Sequence, residues 1–154
     1  AGGHLTDLLR IGCVTKDMTT ILGYMGLIPF VFLPLLYGFS ANGSSFHFLM
    51  TFLVYSAGIA LFMAGAVWGR SVDSKEPDSL PLVASNAITL VVIGLGLLAY
   101  HSPVALLIGI GLAHGFNLLF EPKRDNPSYQ KLRLVLTSVV LTSHLVMLGL
   151  FVLT

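Results

Sequence analysis

One cysteine, Cys13, is all that this chain of 154 residues contains. A single copy can therefore form neither an intrachain disulfide nor a thiolate metal cluster. Charge is scarce as well: Asp, Glu, Lys and Arg make up 10% of the residues, against about 25% in an ordinary soluble domain. A net charge of +1 provides no clustered basic face, which excludes nucleic acid as a partner. Also missing are His-Glu-x-x-His, Gly-x-Ser-x-Gly, a phosphate-binding loop and any carboxylate pair inside an apolar run. Every Asp and Glu falls in a loop or tail, so no catalytic residue and no enzymatic activity is expected.

What is present is hydrophobic residues, 55% of the chain, arranged in long runs. About 20 apolar residues cross a hydrocarbon core roughly 30 Å thick. Five runs approach or exceed that length: Thr19 to Phe39, Phe46 to Trp68, Leu80 to Tyr100, Pro103 to Phe120 and Leu132 to Thr154. The reading is an all-α polytopic membrane protein, a bundle of five transmembrane helices over residues 19–154. Lipid is its first partner. Residues 1–18 carry Leu5, Leu8, Leu9 and Gly12 against Asp7 and Arg10, the pattern of a short interfacial helix. The chain opens at Ala1, expected to reflect processing or truncation, and its first residues are too mixed for an export signal.

Orientation follows from the cations. Five spans place Arg10, Lys16, Arg70, Lys75, Lys123, Arg124, Lys131 and Arg133, all eight Lys and Arg residues, on one side. The positive-inside rule makes that side cytoplasmic, or matrix-facing in a mitochondrion, with the C-terminus opposite. A bacterial or mitochondrial inner membrane is the expected location.

Within the spans, Pro29 and Pro34 each remove a backbone donor and push away the carbonyl four residues earlier, Met25 and Phe30. A kinked first helix is expected, lining a site or improving packing. In the second span Gly58, Gly65 and Gly69 share one face, and Gly65-xxx-Gly69 is a spacing that lets helix backbones approach closely. That face is expected to pack against sister helices. Gly111-xxx-Gly115 offers the same close approach around His114.

Polar residues inside spans are costly unless paired or facing a cavity. His114, Asn117 and Glu121 form one stripe on the fourth span. Counting about 1.5 Å per residue from the inner ends, His114, Asn86 and Thr137 fall at one level, roughly 8–9 Å deep. They imply either interhelical hydrogen bonds that fix packing or a small ligand-binding pocket near the inner face, with Asn86, His114 and Asn117 inside and Trp68 and Arg70 at its rim. Trp68 and Arg70 also fit a plain interfacial anchor. His144 lies near mid-membrane, about 9 Å from the level of His114 on the same count, a poor match for a bis-histidine haem site. His47 and His101 fall together at the outer surface, the one pair that could share a metal or haem there. No metal and no cofactor is otherwise expected.

Three stretches carry a likeness to a known family. Leu22-Gly-Tyr-Met-Gly-Leu-Ile-Pro-Phe30 is similar to the Leu-Gly-x-x-Gly-Leu-Ile-Pro-Phe element of the transmembrane protein 69 family. Tyr55 to Gly69 resembles its Tyr-x-Ala-x-x-Leu-x-Phe-x-Gly-Gly-x-x-Trp-Gly element, and Tyr129 to Val140 resembles the opening of its last helix. The chain departs from the pattern at Ala64-Gly65, where the family has paired glycines, and its third span, with Ser85-Asn86, matches the pattern only loosely. The resemblance implies a small integral membrane protein with a domain of unknown function, bacterial or mitochondrial, and hands over no catalytic residue. The function expected from all of this is that of an accessory or assembly subunit of a larger membrane complex, a respiratory one among the candidates, in which other transmembrane subunits are partners; the alternative is a small membrane binding or transport protein with a polar pocket near the inner face.

Overall fold

Apolar runs of this length satisfy their backbone in lipid only as helices or closed barrels. Helices form. The computed structural model describes residues 18–40, 44–74, 79–99, 101–121 and 127–153, and every regular element among them is helical. They are α1 (Met18–Phe39), α2 (Ser45–Val72), α3 (Ser79–Leu98), α4 (Pro103–Leu119) and α5 (Pro127–Leu153). Four of the five, all but α4, are long and apolar enough to cross a membrane. The 17 residues of α4 rise about 25 Å, the lower limit for a span. Pro103 begins α4, and the Ser102 hydroxyl accepts from the Ala105 amide at 3.4 Å, a capped start of the usual kind. The expected interfacial helix and Cys13 lie outside the described residues.

Each helix packs on its chain neighbours, α1 closes the ring against α5, and α2 also presses across onto α4. Consecutive helices run antiparallel, so α2 and α4 are parallel. Phe30, Leu49, Phe52, Leu107 and Met147 fill the centre.

The small-residue expectation needs a correction. A Cβ placed on Gly58, Gly65 or Gly69 meets nothing within 4 Å, so this face looks out of the bundle. The face of α2 that packs inward carries Ser56, Ala60, Ala64, Val67 and Ser71. Ser56-xxx-Ala60-xxx-Ala64 repeats the four-residue step of Gly65-xxx-Gly69 and has a narrow enough profile for close packing. Phe52 and Leu53 are buried together with this inward stripe. Gly111 does pack closely, with its would-be Cβ 3.5 Å from the His144 ring, whereas Gly115 is open.

The first helix breaks where proline demands it. Residues 26–27 form a turn, and a second segment, Ile28–Phe39, starts with proline in its first turn. The Leu27 amide bonds back to Tyr24 O at 3.0 Å rather than to Gly23, a tightened turn. Tyr55 on α2 donates its hydroxyl to Gly26 O at 2.9 Å, satisfying a carbonyl at the break from outside α1. Pro34, by contrast, sits inside the continuing helix. Tyr55→Phe is expected to lower stability by about 1 kcal/mol, measured by unfolding in mixed micelles; no change would mean that lipid or water satisfies the break equally well.

Candidate functional site

The stripe on α4 points at α2. Because the two helices are parallel, its residues meet partners in the same order along the chain: His114 at Ser56, Asn117 at Ala60 and Glu121 at Arg70. Asn117 donates to Ala60 O at 2.9 Å, while its own Oδ1 is buried without a partner.

Ser56 is fully buried and its hydroxyl serves two histidines, 3.0 Å from Nε2 of His114 and 3.0 Å from Nε2 of His144. Carbonyls only accept, and this fixes the directions when both rings are neutral. His144 Nδ1 lies 3.0 Å from Val140 O and so donates to it, leaving Nε2 to accept from the Ser56 hydroxyl. His114 Nε2 reaches Ser56 O at 3.2 Å as well as the hydroxyl oxygen, so it donates. The imidazole centroids are 5.7 Å apart.

That proximity overturns the depth count for these two residues. Side chains on a helix lean toward its N-terminus. The N-terminus of α5 is at the end of the bundle that carries Arg70 and Glu121, and that of α4 is at the opposite end. His144 leans one way and His114 the other, so the rings converge. In addition, α5 starts at Pro127 and runs past the end of α4, since Glu121 there is level with Arg133. The ends of α4 and α5 on the Arg70 side are not coplanar.

A second cluster closes the charged end. Glu121 Oε1 lies 2.7 Å from Arg70 Nη2, and its Oε2 accepts from Arg133 Nε at 2.7 Å. Arg70 Nη1 donates to the Tyr129 hydroxyl at 2.9 Å, and its guanidinium lies 5.7 Å from the centre of that ring. Arg70 remains incompletely satisfied: its contact with Oε1 lacks hydrogen-bond geometry, and its Nε is buried with no acceptor.

Between the clusters lies a groove of about 480 Å³, bounded by the first segment of α1, by α2 and by α5, with His114 of α4 behind it. Leu22, Leu27, Ile59, Met63 and Leu136 form much of its wall; Arg70, Tyr129 and Arg133 stand at one end and Phe30, His114 and Val140 toward the other. Gly23 seats α1 against α5, with only 3.1 Å from its would-be Cβ to Leu136 Cδ1. The break at Gly26 sets the direction of this segment. Leu22 and Phe62, at the rim, are exposed on the flank of the bundle.

Of the residues singled out by sequence, Arg70 and His114 border the groove and Asn117 lies behind it in the α2–α4 contact. Asn86 does not join them: it is exposed and donates to Leu82 O of its own helix at 3.0 Å. Trp68, 48% exposed, points outward and is not part of the groove wall. Thr137 is buried along the wall. His47 and His101 are exposed, and no group of three or more His, Cys, Asp or Glu poised to hold a metal occurs among the described residues. Sequence reasoning missed Ser56, Tyr129 and the pairing of Arg133 with Glu121. Ser56 was signalled by its place in the small-residue row, and Arg133 by lying two residues inside an apolar run.

A family model described as a protein of unknown function (DUF3429) matches residues 15–149, most of the chain. It supports the coarser expectation of an uncharacterised domain; the narrower likeness to the transmembrane protein 69 family rests on the three stretches alone. No curated protein and no solved structure matches.

Proposed function

The chain belongs to the DUF3429 family, and we propose that it is a non-catalytic membrane binding protein whose groove takes up a small apolar or amphiphilic molecule from the bilayer. The groove itself supports this reading. Its volume of about 480 Å³ falls within the roughly 300–1,000 Å³ of small-molecule sites, and its wall is mostly apolar with a few polar groups at the ends. Binding is favoured over reaction because Ser56, the nucleophile-like group nearest a histidine, is occupied by two imidazoles and does not line the groove. By the positive-inside rule the charged end faces the cytoplasm or matrix of a bacterial or mitochondrial inner membrane.

Ala66 offers the test, since it lines the groove and takes part in neither polar cluster. Ala66→Phe projects a ring into the groove, and any loss of stability is expected to stay below about 3 kcal/mol, the upper end of ordinary overpacking costs. Native mass spectrometry of wild type should show a bound lipid-like molecule that the variant has lost. An unoccupied wild type, or equal occupancy in the variant, overturns the reading.

One observation favours a second reading, an accessory subunit docked on other transmembrane helices. Gly58, Gly65 and Gly69 make an open furrow on the outside of α2 beside exposed Phe62 and Trp68, the kind of surface into which a transmembrane helix packs. Native-gel migration separates the two: co-migration with a large complex supports the subunit, and a small species carrying a bound molecule supports the binder.

A further inference from the structure

We infer that the occupant of the groove is an amphiphile with one anionic headgroup, a carboxylate or a phosphate, seated at Arg70 with its chain lying toward His114. This rests on the binding role proposed above and specifies the class of ligand.

The first support is charge. Both ion pairs among the described residues use Glu121, so among those residues two guanidiniums share one carboxylate. Arg70 makes the poorer of the two contacts. Its Nε is buried with no acceptor, its contact with Glu121 is not a hydrogen bond, and it stands on the groove wall. Nε itself is closed off from the groove, so an anionic head meets the guanidinium through the part of the Arg70 side chain that is still 20% exposed, where its charge is attracted to the cation. Arginine presents its donors as a fork matched to carboxylate and phosphate geometry. A neutral hydroxyl gains only a weaker hydrogen bond there, and a cation adds repulsion.

The second support is length. Along α2 the wall runs from Ile59 to Arg70, and along α5 from Tyr129 to Val140. Each is a rise of roughly 16 Å, which matches one leaflet of a hydrocarbon core about 30 Å thick. Arg70 lies two residues from the end of α2 and Tyr129 two from the start of α5, so the polar end of the groove is at the ends of these helices and its apolar remainder is as long as the acyl chains of one leaflet. A free anion would use only the first feature and a hydrocarbon only the second.

The test is equilibrium binding of radiolabelled hexadecanoate, hexadecyl phosphate, hexadecanol and hexadecylamine to the full chain in phosphatidylcholine nanodiscs, corrected for partition into empty discs. Both anionic probes are expected to bind about tenfold more tightly than hexadecanol, the scale of one charge-assisted hydrogen bond, with hexadecylamine weakest. Arg70→Gln should bring hexadecanoate to within about twofold of hexadecanol, and Arg70→Lys, which keeps the charge without the fork, should fall between. Should Arg70→Gln fail to fold, the ranking of the four probes on wild type decides alone. Inorganic phosphate at millimolar concentration should displace nothing; full displacement would mark a water-side anion site and overturn the inference. Equal binding of hexadecanol and hexadecanoate sinks the headgroup assignment while leaving the groove a binding site. Failure of all four probes to bind, with Ala66→Phe indistinguishable from wild type, removes the binding role itself.

Discussion

Glu121→Gln is expected to destabilise the bundle by about 3–5 kcal/mol, the cost of removing one partner from a buried ion pair. The carboxylate lies between Arg70 and Arg133 at 2.7 Å from each, and the side chains of the two arginines are only 20% and 8% exposed. Glutamine has nearly the same shape, so the change removes charge with little loss of packing. Two guanidiniums would then repel each other in a site that water reaches poorly. Unfolding by sodium dodecyl sulfate in mixed micelles measures the loss, and repeating it in high salt separates two cases. A buried triad is little screened, so most of the loss should persist. A loss below about 1 kcal/mol would mean that the cluster is hydrated like a surface pair.

Phe30→Ala carries the second large effect, about 3 kcal/mol. The ring is 1% exposed and packs edge-on against Phe52 at 5.8 Å and Tyr55 at 5.3 Å, with the His114 and His144 rings at 5.9 and 6.2 Å. Between helices in lipid, packing rather than expulsion of water supplies the attraction, so the cost comes from lost contacts and the cavity left behind. Phe30 also borders a second, smaller cavity of about 380 Å³ between α1 and α5. Truncation would merge the two. The measurable outcome is lower resistance to unfolding together with uptake of bulkier hydrophobic probes than wild type accepts. Stability unchanged within about 0.5 kcal/mol would show that neighbouring rings collapse into the gap.

The fold was readable because its cause is local. Length and composition of the runs dictate helices in lipid, Pro103 and Ser102 mark where α4 starts, and Pro29 marks where α1 breaks. The stripe His114, Asn117, Glu121 was also legible, because three residues spaced three and four apart must share a face. Its partners were not. Which face of α2 turned inward depended on a choice between two small-residue rows, each with a four-residue step, and only the packing of all five helices makes that choice. Asn86 failed for a similar reason: depth along an axis says nothing about direction around it, and its helix turns it outward. The meeting of His114 with His144 was hidden by treating side chains as points on an axis, when in antiparallel helices they lean toward each other.

The position of the groove on the flank of the bundle, with Leu22 and Phe62 exposed at its rim, sets the units in which affinity has to be expressed. A guest of the class proposed would enter sideways without visiting water, so its competitor for the groove would be the surrounding acyl matrix. Occupancy would then track the mole fraction of the guest among membrane components and ignore the volume of the aqueous phase. Diluting the sample with buffer would leave occupancy unchanged, whereas diluting it with added lipid would lower it.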